Sequence, residues 1–336
     1  MKWKEVLKLT ITGNSKRILN IVLSSDENYA DKLAVTMYSI LEVHSKVDGV
    51  CIHVLSNDIS ENSIEKIKAI GDKFSNAQII IHNLDNLEKR LGKDVNVDHL
   101  SLATYARLLI ADVLPDDVDK ALYLDVDILV RENLSDLFSV DIENYYVAGV
   151  KSIIDLADCN EDQEHCFHIN AGVTLWNLKK CREDKFVQKC LEFIKNTNGK
   201  IKFHDQTIIN EVCKGKIKAL HPRYNVMSGM FFLKYSKFIS VYGVKNYYPK
   251  KEFDDAVSSP AIIHLTSWVV GRPWEEECVH PYRSEYERIL QLTPWRGKPL
   301  LRKSSSKYKL AIYRLLPGTL IRIITKIKRW VKSKIR

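Results

Sequence analysis

The chain contains no run of 18 consecutive apolar residues, and residues 1–30 hold no apolar stretch of signal-peptide length, so neither a spanning helix nor secretion is expected. Its seven cysteines are odd in number and never spaced as Cys-x-x-Cys, which argues against a disulfide framework and fits a reducing compartment. The group Cys159, His165, Cys166 and His168 matches no standard zinc-finger spacing. No Gly-x-Gly-x-x-Gly follows the first predicted strand, so a dinucleotide cradle is not supported. No Asp or Glu occurs after Glu287, whereas 15 Lys or Arg do. The net charge of +9 therefore belongs to the tail, and the rest of the chain carries −6. Basicity confined in this way is no argument for nucleic acid as a partner, and none is expected. Internal repeats and low-complexity tracts are also absent.

What is present is a globular pattern: 336 residues, 45% of them hydrophobic, enough for a sizeable core. Apolar runs at 18–25, 50–55 and 78–82 read as strands. Helical spacing covers 32–44, through Leu33, Val35, Thr36, Ser39, Ile40 and Val43, and runs from a cap at Asn57, Asp58 or Ser60 to about residue 74. A helix over 99–114, strands at 147–150, 168–177 and 261–265, and helices over 184–195 and after 203–206 follow. Alternating strands and helices predict an α/β fold with a parallel sheet, whose ligands sit beyond the carboxyl ends of the strands.

Residues 120–130 form an apolar run of strand type, interrupted only by Asp125 and Asp127. On a strand, residues i and i+2 face the same way, so the two carboxylates are expected to share a direction and a counter-ion. One reading is a divalent cation bound to a diphosphate; the other is a strand end at which Arg131 pairs with one carboxylate. Arg107 has no acidic partner at helical spacing, which leaves a diphosphate or solvent to meet its guanidinium. Asp205 reads locally as a helix N-cap, and His264 as a histidine at a strand end.

The tail changes character. A basic, Ser-containing linker over 296–306 precedes an amphipathic stretch, 307–336. At about 100° per residue, Leu320, Ile321, Ile323, Ile324, Ile327, Trp330, Val331 and Ile335 share one half of a helical wheel. Arg322, Lys326, Arg329, Lys332 and Arg336 share the other. Such a helix suits an anionic membrane surface better than a bilayer interior, and packing on the body is the alternative. The chain is thus expected in the cytoplasm, peripheral on the inner face of the cell membrane.

In order and spacing, Ser24-Ser25-Asp26-Glu27-Asn28-Tyr29, His99 to Arg107, Tyr123-Leu124-Asp125-Val126-Asp127, Asn170-Ala171-Gly172-Val173, His204-Asp205-Gln206 and His264 with Arg272-Pro273-Trp274 resemble glycosyltransferase family 8. This family of retaining enzymes includes bacterial lipopolysaccharide galactosyl- and glucosyltransferases. The resemblance covers about residues 18–295. It implies a GT-A type catalytic domain over 17–295, a Rossmann-like mixed sheet flanked by helices, between an N-terminal extension, 1–16, and the linker and tail. It further implies that Asp125, Asp127 and His264 bind Mn²⁺ or Mg²⁺, and that Asp26, Asn28 and Tyr29, with Ser24 beside them, hold the uracil and ribose of a UDP-sugar. Arg107, Asp155 and Asn170 would meet the donor, Asp205 and Gln206 would lie near the anomeric carbon, and His99 would lie near a sugar. Where the family usually shows Lys before Pro-Trp, this chain has Arg272 after two extra residues.

The expected activity is retaining transfer of galactose or glucose from a UDP-sugar to the saccharide or lipid-linked saccharide acceptor of a cell-surface glycan. A haloacid-dehalogenase-type phosphoryl transferase fits less well, since that pattern expects Thr or Val where Leu129 stands. A non-catalytic nucleotide-binding protein at the membrane surface is the other alternative. It has no evident use for Asp125, Asp127, His264 and Gln206 together.

Overall fold

The computed structural model describes residues 18–335 apart from 85–86, 88–90, 92–101, 154–166, 199–200, 245–246 and 303–305. The first strand, β1 (Ile18–Asp26), leads into α1 (Ala30–Val43), β2 (Gly49–Asn57), α2 (Glu61–Gly71) and β3 (Ala77–Asn83). Ser60 caps α2 by accepting from Ser63 N. A 3-10 run, Leu102–Leu109, continues into a short helical turn before β4 (Lys120–Leu124) and β5 (Ile128–Val130). Next come β6 (Val147–Lys151), β7 (Ile169–Asn177), α3 (Phe186–Asn196), α4 (His204–Val212), β8 (Ile217–Ala219) and β9 (Val226–Met227). The chain then forms α5 (Tyr235–Tyr242), α6 (Lys250–Ser258), β10 (Ile262–His264), α7 (Arg283–Leu292), α8 (Ser306–Leu315) and α9 (Gly318–Ile335).

The main sheet has the order β3-β2-β1-β4-β7-β6-β8, and a small second sheet the order β5-β10-β9. Neighbours of β1 are parallel to it, while β7 runs antiparallel to both β4 and β6. The alternation expected of a doubly covered sheet is visible within β1. Leu19, Ile21 and Leu23 join the core under α1, whereas Val22 joins the opposite core with Tyr105 and Tyr123. After β1 the chain works outward through β2 and β3, then returns to place β4 on the other side of β1, which opens a crevice at their carboxyl ends.

The apolar run at 120–130 is not one strand. It breaks after Leu124, and Asp125-Val126-Asp127 crosses from the main sheet to the small one, where Ile128 pairs with His264. A continuous strand was expected because both halves are apolar; each half is indeed buried, but in a different sheet. The bend is held by α1. Thr36 Oγ1 lies 2.8 Å from Val126 O and 2.9 Å from Ile128 O, and Ser39 Oγ accepts from Val130 N at 3.1 Å. The helix expected over 99–114 is likewise 3-10 in its described first part.

The linker expected at 296–306 is, over its described residues, strapped to the body rather than free. Lys298 Nζ lies 3.0 Å from the buried carboxylate of Asp31, and Leu301 N donates to Trp274 O at 2.8 Å. Beyond it, α9 docks on α5 through Ile321, 3% exposed, and through Gly318 against Ser240. Docking removes one apolar edge of the helix from water, which a detached tail would leave exposed.

Three buried histidines are held in their neutral form. His44 bonds Ile40 O through Nδ1 at 2.7 Å and accepts Leu134 N–H on Nε2 at 2.8 Å, and burial lowers its pKa. Burial, helped by His82, takes His53 down to about 4, and burial alone takes His280 to about 4. The unfolded chain, titrating near the ordinary value, binds more protons across that interval, so this contribution is complete above about pH 6.5 and is lost as pH falls toward 4. Replacing His53 with Gln is expected to remove part of the acid sensitivity. In urea titrations, wild type should lose about 2–3 kcal/mol more than His53→Gln between about pH 7 and 4.5. Equal losses would count against a neutral His53.

Candidate active site

The crevice at the ends of β1 and β4 is an open cleft of about 390 Å³. From β1 and its turn come Ser24, Asp26 and Tyr29; from the bend, Asp125 and Asp127; from β7, Asn170 and Gly172; from the start of α4, Asp205 and Gln206; from the loop after β10, Arg272. Asn28 is exposed and outside the lining, and His264, 5% exposed, stands behind the two aspartates. Asp155 and His99 lie outside the described residues, as do Cys159, His165 and Cys166.

Arg107 occupies the centre of the site's charge. It stacks 4.3 Å over the Tyr123 ring, donates from one terminal nitrogen to Asp125 Oδ1 at 2.7 Å and from Nε to Thr104 O at 3.0 Å, and lies with Nε 2.9 Å from Asp205 Oδ2 as an ion pair. The other terminal nitrogen donates to Ala171 O at 2.7 Å. The acidic partners missing at helical spacing thus come from other elements, and the guanidinium is taken up by two carboxylates instead of standing free for a phosphate. Asp205 is not a helix N-cap: Phe203 is, without a side-chain bond, and Asp205 turns to Arg107 instead. Burial raises the Asp205 carboxyl to about 6 despite that neighbour. Arg131 pairs with Glu285 at 3.2 Å and touches neither Asp125 nor Asp127, which removes the reading of a simple strand end.

Asp127 and His264 each favour the charged form of the other. Burial opposes ionisation of Asp127, but His264 Nε2 at 3.1 Å and Arg272 at 3.4 Å outweigh it and bring Asp127 to about 2. Burial likewise opposes the imidazolium, and Asp127 with Asp125 raises the His264 pKa above its ordinary value. On the far side of the cleft, Gln206 Oε1 accepts from Asn170 Nδ2 at 2.9 Å and from Ala171 N at 3.0 Å. Sequence reasoning missed Asn225, wholly buried, whose amide spans His264 and Asn170. A lone Asn after Arg-Tyr carries no periodicity or spacing that would single it out.

The residues present suit a divalent cation. Asp125, Asp127 and His264 offer one ligand atom each, all within 4.8 Å of one another. Two carboxylate oxygens and an imidazole leave further positions for other oxygen ligands. Gly172 keeps this space open. A Cβ there would lie 2.6 Å from Asp125 Oδ2 and 2.4 Å from His264 Cε1, closer than any side chain allows.

The family model for glycosyl transferase family 8 matches residues 20–278, which spans every element of this site. The chain belongs to glycosyltransferase family 8. Among its relatives, a Haemophilus influenzae protein named only as a glycosyltransferase is 32% identical over 214 residues, 62% of this chain and 63% of that one. An Escherichia coli lipopolysaccharide 1,2-glucosyltransferase is 24% identical over 330 residues, covering 93% of this chain and 92% of its own. The galactosyltransferase LgtC, solved with donor and acceptor sugar analogs, superposes with a TM-score of 0.67 at 25% identity, covering 83% of this chain and all of that one. The main sheet flanked by helices is thus the GT-A-like fold of a family 8 glycosyltransferase, and the α/β expectation holds.

In this family 8 chain the space between Asp125 and His264 depends on the absence of a side chain at 172. Gly172→Ala is expected to weaken divalent-cation binding by about tenfold or more, about 1.4 kcal/mol, in calorimetric titration, with circular dichroism unchanged. Wild-type affinity in that variant would place the cation elsewhere.

Proposed function

We propose that this glycosyltransferase moves a hexose, galactose or glucose, from a UDP-sugar to a saccharide acceptor of a cell-surface glycan, with retention and with Mn²⁺ as its cation. The observation that carries this reading is the cleft itself, where Asp125 and Asp127 face the same space as Asp205 and Gln206, beyond the switch between β1 and β4. An imidazole beside two carboxylates favours Mn²⁺ over Mg²⁺, which prefers oxygen ligands alone. Bound there, the ion would neutralise charge developing on a departing diphosphate.

The protein's own residues supply the rest. Asp26, at the end of β1, accepts from Tyr29 N and rims the cleft with Ser24, which supports a role for both in holding uridine. Arg272 faces Asp127 and is placed to meet a phosphate oxygen as well. Arg107 keeps Asp125 and Asp205 from repelling each other. Removing one partner of such a buried pair costs on the order of 3–5 kcal/mol. Gln206 is a neutral amide whose oxygen already accepts two hydrogen bonds, so it is a poor nucleophile. That favours attack by the acceptor on the leaving-group face, with a departing phosphate oxygen taking the proton and Asp205 and Gln206 steadying the cationic centre.

Asp125→Asn, Asp127→Asn and His264→Ala are each expected to lower Mn²⁺-dependent release of UDP by about 10²-fold or more, at several kcal/mol for the lost charge stabilisation. A panel of UDP-sugars identifies the donor in the same assay. Near wild-type rates in all three variants at low Mn²⁺ would reject the reading, and no UDP release by wild type from any donor would leave the nucleotide-binding alternative.

We infer further that the acceptor is membrane-bound and that the protein works at the inner face of the cell membrane. Among the described residues no helix is long and apolar enough to cross a bilayer. With Ile321 turned inward, α9 presents a stripe of Leu320, Ile323, Ile327 and Val331, each 40–55% exposed, beside exposed Lys326 and Lys328. The adjoining α8 adds Leu315, 83% exposed. An apolar stripe edged with cations suits an anionic leaflet, where each basic group near the surface contributes about 1 kcal/mol. Ile323→Glu with Ile327→Glu is expected to release the protein from phosphatidylglycerol vesicles in sedimentation assays while UDP release persists. Binding that ignores both substitutions and salt would assign the stripe to a protein partner.

A further inference from the structure

The amides on the two sides of the cleft form one continuous chain whose polarity can be read without ambiguity, because it is anchored on backbone N–H groups. Gly172 N donates to Asn170 Oδ1 at 3.1 Å, so the Asn170 oxygen faces inward and its Nδ2 must face Gln206. Ala171 N donates to Gln206 Oε1 at 3.0 Å, which orients the glutamine independently and agrees. The oxygen of Asn170 lies 2.8 Å from the Asn225 amide, so Asn225 must meet it with Nδ2. That turns Asn225 Oδ1 toward His264 Nδ1, 3.0 Å away. An oxygen there can only accept, so Nδ1 must carry a proton. The other nitrogen, Nε2, is the one that faces Asp127 and Asp125.

We propose that Asn225 is a positioning residue that carries the polarity set by the Ala171 and Gly172 backbone N–H groups to His264, fixing its Nδ1–H tautomer so that the Nε2 lone pair faces the cation pocket, while holding Asn170 and Gln206 in one orientation. Metal-ligating histidines need their second nitrogen satisfied in this way to fix ring and tautomer. Here one buried amide does so and also sets the glutamine across the cleft, which leaves Gln206 Nε2 as the side that donates, 3.4 Å from Ser152 Oγ. The coupling is directional. Reversing Asn225 would set its oxygen against that of Asn170 with no proton between them, and reversing Asn170 would set its NH₂ against the Gly172 N–H. As far as the cation is concerned, the inference rests on the proposed function; the tautomer does not.

The test begins with nitrogen NMR of the full chain labelled at histidine, cation-free and at a pH that leaves His264 neutral, with His264→Ala to assign the signal. The expected wild-type spectrum has the proton on Nδ1, and in Asn225→Ala the proton moves to Nε2, toward Asp127. A proton on Nε2 in wild type, or an unchanged tautomer in Asn225→Ala, overturns the proposal. In the second arm, Mn²⁺ is titrated calorimetrically into the UDP-loaded protein. Asn225→Ala should bind about 10–100-fold more weakly. Asn225→Asp, whose carboxylate still accepts from Nδ1, should stay within about threefold of wild type, yet its turnover should fall about tenfold because it cannot donate to Asn170. Equal weakening in both variants, or none in either, also overturns it. If Asn225→Ala does not fold, Asn225→Asp and the wild-type spectrum decide. If wild type binds no Mn²⁺ with UDP, the proposed function fails while the spectrum still decides the tautomer.

Discussion

One buried guanidinium is the constraint on which the site depends. Asp125 and Asp205 come from different elements far apart in the chain, and Arg107 binds both at 2.7 and 2.9 Å. Without it, Asp205 would be a buried carboxylate facing a second one, and burial would drive its protonation further. Burial already lifts Asp205 to about 6 with Arg107 in place. The 3-10 run that carries Arg107 also places Ala103 O against Ser24 Oγ at 2.7 Å. The same segment thus ties the β1 rim of the cleft to the far wall.

Around that pair, the architecture works by bringing strand ends together. β1 and β4 end side by side, and β7, antiparallel to β4, begins where β4 ends. Its residues Asn170 to Gly172 consequently lie beside Asp125, whose N–H donates to Gly172 O at 2.8 Å. The small sheet then delivers His264 to the other side of the bend, because β10 pairs with β5 so that His264 faces Ile128, next to Asp127. Three candidate ligand atoms from two chain segments converge on a space that stays open because residue 172 has no Cβ.

The tail shows a division between two faces of one helix. The apolar half of α9 is wider than docking requires. Ile321 packs on the body, and the stripe through Leu320, Ile323, Ile327 and Val331 does not. A helix apolar over more than a third of its circumference can serve two surfaces at once.

By itself the sequence determined the alternation of strands and helices, the burial of both faces of the sheet, and the family, because these rest on local periodicity and on short motifs in fixed order. It also marked Asp125, Asp127, His264, Asp205 and Gln206 as one set, though only through the order of the motifs. Tertiary structure alone decided the break after Leu124, since an apolar run reads the same whether it stays in one sheet or passes between two. It alone decided the partners of Arg107 and of Asn225. Charge pairing and amide polarity depend on which distant segments meet, and a single buried side chain leaves no period in the sequence. Docking of α9 belongs to the same class. A helical wheel shows how wide an apolar face is, and only packing shows which part of it the body covers.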